Sequence, residues 1–573
     1  MKKYYRYIGI ILAFLPLTLL AQEKKVDFFG SGRFALNNGS LSGELTKTDT
    51  VTPQKQMRGS TLFDLGFHIR PSAETEIKAI TRVVNDINGF WGGGILFNVR
   101  ELYVRGLLLK RFKYQVGDLN TRMTPFTLYN TEGELSAHNP LALNTFSEVI
   151  NYDKFYVDNA WRQQGAMVDF GFDFDKYLNH LQIKSMVSKN RQTDYFSTPD
   201  RLFSGTTVSA KFFKQLGLSY NLAHAFDVKN SAMFSDALFK NTVQSFGVDE
   251  ELNLGKNTII VSLEAGKSKV LYENNAAAPV VPNGAFTEAG LAFKNKQKGW
   301  RAGLNYRSVE TSFRSMGAQS RRVDYSATAT EYAYYTNRET PRPANILDIL
   351  TDGNYYNMFL RPDLKQFNPA YENRQPYGKA TPNRQGAEVT MGWNTQKARL
   401  LKLGLDMASF KEISGQGTVN LRSFNELAAY VDLGLNELYK GKKNLHVGAY
   451  FRIQNTSREG TQGIDLVNLK TNQFKLGIEY EIIPKLSFQM GAIQLIANGN
   501  EFLAQRNSFN EMNFFTAYKA NLKETLLLGG INYQFSKANC LKLQWQQVNW
   551  DNALLPTNQY KINRFAVLYN LFF

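Results

Sequence analysis

The sequence predicts an all-β protein whose antiparallel strands follow one another up and down around a single barrel of about 22 strands, within a range of roughly 16 to 24. Apolar and polar residues alternate in many segments, and short and long connections take turns along the chain. The 573 residues show no linker or composition shift that marks a domain boundary. A soluble chain of this length usually divides into several domains, so one continuous β architecture is the simpler interpretation.

The alternation is clearest in 445–454, where apolar residues hold every odd position and polar or small residues hold most even ones. Successive strand residues point to opposite faces, so this period of two predicts strands with one apolar and one polar face. A soluble β-sandwich would show the same pattern. The rhythm recurs at 63–70, 168–175, 259–266, 300–307, 389–394, 401–408, 474–482 and 527–535.

Connection lengths distinguish a barrel from a sandwich. Short connections, such as 71–74 and 484–485, alternate with longer polar stretches along the whole chain. This order places short turns at one rim and long loops at the other, which a Greek-key sandwich would not do. Predicted long stretches include 38–60, 267–283, 456–463 and 499–521, and the two longest are 119–162 and 313–382.

The first 21 residues predict a signal peptide, and residues 22–573 the barrel. Three basic residues precede an apolar run at 8–20, which is too short for a spanning helix, and Ala21 marks a plausible cleavage site. The alternative is a short N-terminal membrane anchor.

The final segment, Gln559–Phe573, is an amphipathic strand that ends on phenylalanine. It resembles the terminal signal strand of Gram-negative outer-membrane β-barrels of the porin-like family, and the Ala-Gln junction after the leader is similar to exported proteins of the Bacteroidota. The apolar face that carries the predicted barrel-assembly signal includes Phe565, Tyr569, Leu571 and Phe573.

This resemblance implies a location in the cell outer membrane, with short turns in the periplasm and long loops outside. It also implies contact with outer-membrane lipid and lipopolysaccharide, and with the barrel assembly machinery during biogenesis. A lumen of this width is normally plugged. Strand-like sequence begins at 26–36 and leaves no room for a plug domain, so loops 119–162 and 313–382 are expected to constrict the pore.

The second of these loops contains eight tyrosines and a segment, Pro343–Leu350, that predicts a short helix. Tyrosine is favoured in stacking on sugar rings and at protein interfaces. Similar short motifs, Arg-Gln followed by Gly-Ala, come directly after both long loops. The candidate pore and loop contacts are Arg162, Gln163, Arg384, Gln385, Tyr334, Tyr335, Tyr355, Tyr356 and Arg452.

Two interpretations of Arg162 and Arg384 remain open. Each projects into the pore mouth toward an anionic or sugar solute, or each anchors a folded loop to the barrel wall through carboxylates or loop carbonyls. The second interpretation is the simpler one. The formal net charge of +17, or +14 without the three basic residues of the leader, suggests affinity for anions. The predicted inner faces nevertheless carry both signs of charge.

Enzyme chemistry is not predicted. The five histidines have no recognisable Ser or Asp context, and no pair of them has metal-ligand spacing. The single cysteine, Cys540, cannot form an internal disulfide or build a zinc site. We therefore expect no catalytic residue, no metal, no other cofactor and no nucleic-acid partner.

The function predicted from the sequence is a channel that passes small polar solutes, sugars or anions, through a loop-constricted lumen. The alternative is a non-conducting barrel subunit of an outer-membrane assembly, secretion or uptake complex, whose loops bind a partner protein.

Overall fold

A computed structural model describes residues 25–47, 55–87, 95–129, 138–154, 162–235, 237–275, 277–319, 323–325, 342–357, 359–395, 400–436, 441–461 and 465–573. The predicted signal peptide, residues 1–21, lies outside them.

The described residues form 22 strands, each antiparallel to its neighbours in the chain. These strands are β1 (Val26–Ser42), β2 (Lys55–Ser72), β3 (Thr75–Asp86), β4 (Ile95–Leu108), β5 (Phe112–Asn120), β6 (Arg162–Asp173), β7 (Leu178–Arg191), β8 (Arg201–Phe212), β9 (Leu216–Asp227), β10 (Leu238–Leu254), β11 (Asn257–Glu273), β12 (Gly284–Asn295), β13 (Trp300–Val309), β14 (Arg384–Asn394), β15 (Leu401–Lys411), β16 (Ser423–Gly434), β17 (Leu445–Arg458), β18 (Val467–Ile483), β19 (Leu486–Arg506), β20 (Met512–Gln534), β21 (Asn539–Asn552) and β22 (Tyr560–Phe572).

Among the described residues of the long connections there are two short α-helices, α1 (Thr145–Lys154) in the first and α2 (Ile346–Thr351) in the second. Single 3-10 turns occur at Glu44–Lys47, Leu141–Leu143, Gly353–Tyr355, Gly378–Ala380 and Pro556–Asn558. Neither helix is long and apolar enough to cross a membrane, within the part of the chain that the structure describes.

The sheet closes on itself because β22 pairs with β1, from Ser42 opposite Lys561 to Ser31 opposite Phe572. Gly30 and Phe573 extend this ladder, since each backbone N–H donates to the carbonyl of the other at 2.9 and 3.1 Å. Closure leaves no free edge among the 22 described strands. The predicted closed, up-and-down, antiparallel barrel of about 22 strands is therefore confirmed.

Connection lengths sort as the sequence predicts. We call the end with the short connections the turn rim and the opposite end the loop rim. The two longest connections, residues 121–161 (the first long loop) and 310–383 (the second long loop), both start from the loop rim.

One predicted loop is wrong. The stretch 499–521 is mostly strand, because β19 and β20 continue as a paired hairpin and only residues 507–511 connect them. The apolar alternation stops after Ile496, so the sequence predicted a loop, yet main-chain hydrogen bonds carry the ladder on. The hairpin tip lies against the second long loop, where Asn510 Nδ2 donates to the Pro362 carbonyl at 2.8 Å.

The apolar core lies inside the barrel, between its wall and the two long loops. One cluster joins α2 to inward-facing residues of β19–β22, and another joins the first residues of both long loops to β7–β12. Consequently β20 is apolar on both faces, with Leu526 and Leu528 buried inward and Leu527 exposed outward. The sequence predicted one apolar and one mixed face; loop packing makes parts of the inner face apolar as well.

Candidate functional site

The first long loop crosses the lumen to the far wall. His138 Nε2 lies 3.1 Å from Asp432 of β16, and its ring stacks on Tyr430 with centroids 4.4 Å apart. Pro140 lies against two wall glycines: a Cβ at Gly448 would stand 2.9 Å from the Pro140 Cβ, and one at Gly477 would stand 2.6 Å away. These glycines permit the close approach of the loop.

Helix α1 then leads back to the wall formed by β1, β2 and β4. Near its end, the Tyr152 hydroxyl donates to Asp64 Oδ2 at 3.1 Å and lies 3.1 Å from Ser31 Oγ. The Arg100 guanidinium covers the Tyr152 ring at 3.9 Å, and Arg82 forms an ion pair with Asp64 at 2.7 Å. The first long loop is thus held at both ends of its path through the lumen.

The described part of the second long loop lies inside the barrel and contacts its inner wall. Helix α2 begins at a capping box, in which Asn345 and Asp348 exchange hydrogen bonds between side chain and backbone. Pro343 precedes the helix by three residues, so the predicted helix exists but starts later than its proline suggested. Ile346, Leu347 and Ile349 of α2 are buried in the apolar cluster of β19–β22.

The wall also holds α2 through buried polar groups. The Ile346 N–H donates to Glu524 Oε2 of β20 at 3.0 Å, and Asn345 Nδ2 donates to the Tyr560 hydroxyl of β22 at 2.9 Å. The Tyr371 hydroxyl, from the same loop, also donates to Glu524. Burial, followed by the nearby charge of Glu524, raises the pKa of Tyr371 well above its ordinary value, so this hydroxyl keeps its proton.

An ion-pair network joins the second long loop to the wall at mid-lumen. Arg452 of β17 lies 2.8 Å from loop residue Glu372 and 2.9 Å from Glu426 of β16, and it also donates to the Tyr371 carbonyl at 2.9 Å. In return, loop residue Arg374 lies 3.1 Å from Glu388 and 3.2 Å from Glu426.

Both signs of charge therefore come from both sides of this network. Burial acts to lower the pKa of Arg374, but the charges of Glu426, Glu372 and Glu388 outweigh it and raise that pKa. Lys379 and Arg307 extend the network to Glu288 at 2.8 and 3.8 Å. We call the seven residues Glu288, Arg307, Glu372, Arg374, Glu388, Glu426 and Arg452, together with Lys379, the mid-lumen network.

The candidate arginines and glutamines divide by the face on which they lie. Arg384 is buried inward; its Nε donates to the Arg374 carbonyl at 3.0 Å, its Nη2 to the Asn373 carbonyl at 3.3 Å, and its guanidinium covers the Phe424 ring at 3.6 Å. These are the contacts of a loop anchor. Gln385 follows on the outer face of β14, so it does not reach the lumen where we expected it.

In the similar motif after the first long loop, the arginine stands one residue further from the glycine than in the motif that begins at Arg384. Gly165 and Gly386 match, because a Cβ at either would stand about 2 Å from a carbonyl oxygen of the next strand, 1.9 Å from that of Val187 and 2.1 Å from that of Ser409. Gln163, not Arg162, therefore occupies the place of Arg384; it is buried inward and accepts from Ser188 Oγ. The side chain of Arg162 lies outside what the structure describes.

Two of the four candidate tyrosines of the second long loop lie within the described residues, and both are internal to that loop. Tyr355 and Tyr356 are buried, and the Tyr356 hydroxyl donates to the Ile349 carbonyl at 2.9 Å. Tyr334 and Tyr335 lie outside the described residues. On β22, Phe565, Tyr569 and Leu571 share the outer face, and Phe573 stacks on Phe63 with centroids 5.9 Å apart. Their part in barrel assembly stays a prediction.

Sequence reasoning missed α1 and the anchoring tyrosine within it. Thr145 stands three residues before Glu148, which is the spacing of a capping box, and this signal was available. No sequence signal indicated that Tyr152 would meet Asp64, since 88 residues separate them.

Two pockets flank the filled middle of the lumen. A pocket of about 410 Å³ lies near the turn rim, between the first long loop and the wall, and carries both signs of charge through Lys402, Asp432 and Glu479. A pocket of about 490 Å³ opens at the loop rim, beneath the tip of the β19–β20 hairpin.

No family model matches this sequence, and no curated protein matches it. Among solved structures the chain is similar to OccK5 (OpdH) of Pseudomonas aeruginosa, with 9% identity, a TM-score of 0.37 and coverage of 96% of this chain and 98% of that one. It is similar to a BenF-like porin from Pseudomonas fluorescens Pf-5, with 10% identity, a TM-score of 0.34 and coverage of 96% and 100%. It is also similar to the outer membrane channel DcaP of Acinetobacter baumannii, with 9% identity, a TM-score of 0.28 and coverage of 96% and 97%.

Proposed function

We propose that this chain is an outer-membrane, porin-like channel that lets small polar solutes, sugars or anions, diffuse through a lumen constricted by its own loops. The observation that carries the proposal is that both long loops fold into a closed barrel of 22 strands and are bonded to its wall there. A barrel of this width needs an obstruction to be selective. Loops held by side chains supply one.

The outer face supports the membrane location. It exposes large apolar side chains on many strands, including Phe97, Phe246 and Phe565. Trp300 and Trp393 stack on neighbouring strands beside the turn rim, with centroids 5.1 Å apart, as aromatic residues do at a membrane interface. In this orientation the signal peptide exports the chain, the turn rim faces the periplasm, and the loop rim meets lipopolysaccharide.

Hydrogen-bonding and ion-paired side chains would select the solute, with no covalent step. The pockets at the two rims would serve as vestibules, and the mid-lumen network would set the aperture between them. Because that network is paired, it favours neither sign of charge strongly.

Planar-bilayer recording of the purified full-length protein tests the proposal. Resistance of the folded form to SDS until it is heated first establishes that the barrel is intact. We then expect steady single-channel steps. An intact barrel that conducts no ions would contradict the channel.

One observation favours the alternative, a non-conducting subunit that binds a partner protein through its loops. Phe196 and Phe234, on two neighbouring loops of the loop rim, stack with centroids 6.4 Å apart and are 63% and 74% exposed. Exposed aromatic pairs are typical of protein-binding surfaces. Electrical silence together with a protein that co-purifies in stoichiometric amount would support this alternative.

A further inference from the structure

The pocket at the loop rim is built from opposite sides of the barrel. The tip of the β19–β20 hairpin supplies one side, and the loop after β11 and the start of the second long loop supply another. Phe509 at the hairpin tip meets Tyr272 of β11 edge to face, with ring centroids 5.0 Å apart. The hairpin tip therefore forms one side of the pocket and reaches across it to β11.

Two arginines in this pocket have no carboxylate partner among the residues that the structure describes. Arg314 Nη1 donates only to the carbonyls of Thr311 and Phe313, at 3.1 and 2.9 Å. Arg506 Nη1 donates to the Asn510 carbonyl at 2.8 Å. The buried arginines of the mid-lumen network each meet at least one carboxylate, so these two are different in kind.

An unpaired cation in such a place is costly. Burial, and after it the charge of Arg506, lowers the pKa of Arg314 to about 10, which means that the charged guanidinium is poorly stabilised by its surroundings. A charge that is removed from water is normally paired, because an uncompensated one carries a desolvation penalty. An anion that enters the pocket would relieve that penalty.

The rest of the lining limits the kind of anion. Val281 and Pro282 add apolar surface beside the aromatic pair. Glu511 is the carboxylate among the lining residues, and it already accepts a hydrogen bond from Asn507 Nδ2 at 2.8 Å. Two cations and one anion leave a single positive charge, which suits a monoanion better than a dianion.

We propose that this pocket binds a small organic monoanion, with its carboxylate between Arg314 and Arg506 and its apolar body against Tyr272 and Phe509. The site deepens the proposed channel function, on which its role as an entrance rests. A volume of about 490 Å³ lies within the range of small-molecule sites.

Titration calorimetry of the purified full-length protein with cyclohexanecarboxylate tests the site directly. We expect saturable binding that Arg314→Gln and Arg506→Gln each weaken about tenfold, because each loses a charge-assisted hydrogen bond. Arg314→Lys and Arg506→Lys should keep part of the affinity. The matched control is Lys229→Gln, which removes one exposed positive charge from a different loop of the same rim and should change nothing.

Three comparisons make the test decisive. Cyclohexanemethanol has the same body without the charge, acetate has the charge without the body, and sulfate is a dianion; all three should bind more weakly. Equal binding of the alcohol, or wild-type affinity in both glutamine variants that still migrate as folded barrels, would overturn the proposal. Conductance without binding would refute the site and keep the channel, whereas binding without conductance would refute the channel and keep the site.

Discussion

Arginines at mid-lumen and arginines at the loop rim differ in what surrounds them. Arg452 of the wall and Arg374 of the second long loop each meet two carboxylates within 3.2 Å, and at least one carboxylate of each pair joins the loop to the wall. Arg314 and Arg506 meet only carbonyl oxygens among the described residues. The same residue type thus pairs a loop with the wall in one region and lacks a described carboxylate partner in the other, so net charge alone predicts neither arrangement.

The strongest way to break the comparison is to remove the mid-lumen cation. Arg452→Met leaves Glu372 and Glu426 buried with less compensating positive charge. We therefore expect the free energy of unfolding to fall by about 3–5 kcal/mol. The temperature at which the protein loses SDS resistance should fall, and single-channel conductance should rise as the second long loop loosens. Arg452→Lys, which keeps the charge, should lie between this variant and the wild type. An unchanged melting temperature in Arg452→Met would show that the network does not hold the loop.

The next effect concerns the first long loop. Gly477→Ala places a Cβ 2.6 Å from the Pro140 Cβ, so the loop or the wall has to move, at a cost of about 1–3 kcal/mol. We expect a higher single-channel conductance and a lower heat-modification temperature, which is the temperature at which the protein loses its resistance to SDS. Gly529→Ala is the matched control, because a Cβ there meets nothing within 4 Å. Identical behaviour of the two variants would argue against tight seating of Pro140.

A smaller effect is expected at the hairpin tip. Asn510→Gly keeps the positive φ of 63° available but removes the side chain that donates to the Pro362 carbonyl and accepts from the Leu364 N–H. Each bond contributes about 0.5–1.5 kcal/mol. We expect faster proteolysis of the tip in intact cells or vesicles. Asn230→Gly, at a φ of 62° in an exposed turn, is the control; equal proteolysis of both would mean that the hairpin is not docked.

The smallest effect should follow Tyr152→Phe, which removes the hydroxyl shared by Asp64 and Ser31. Because Arg82 and Arg100 still compensate Asp64, we expect a loss of only about 1 kcal/mol, seen as a slight fall in the heat-modification temperature. Tyr195→Phe, on an exposed ring, should produce no change. A larger fall than that of Gly477→Ala would make α1, and not Pro140, the main anchor of the first long loop.

The sequence predicts the barrel well because the pattern it depends on is local. Alternation over a few residues identifies each strand, as 445–454 illustrates with Tyr450, Arg452 and Gln454 inward. Where an inner face packs on a loop and becomes apolar, as at Leu526 and Leu528, the alternation weakens although the strand persists. Local pattern therefore recovers strand order better than the contents of the lumen.

The contents of the lumen depend on contacts between residues that are far apart in the chain. Arg384 was a candidate because of its Arg-Gln-Gly-Ala motif. Its anchoring contacts depend on where the second long loop places the Arg374 carbonyl. Gln385 belongs to the same motif and lies on the outer face of β14. Arg314 and Arg506 carry no local motif at all, and only the fold brings them to one pocket.

The pairing of β22 with β1 has a consequence for how the protein is made. The barrel cannot close until β22 has been synthesised, so until then β1 keeps an unpaired edge, and such edges are prone to aggregation. The partners in that ladder lie more than 500 positions apart, which makes closure a slow, late event.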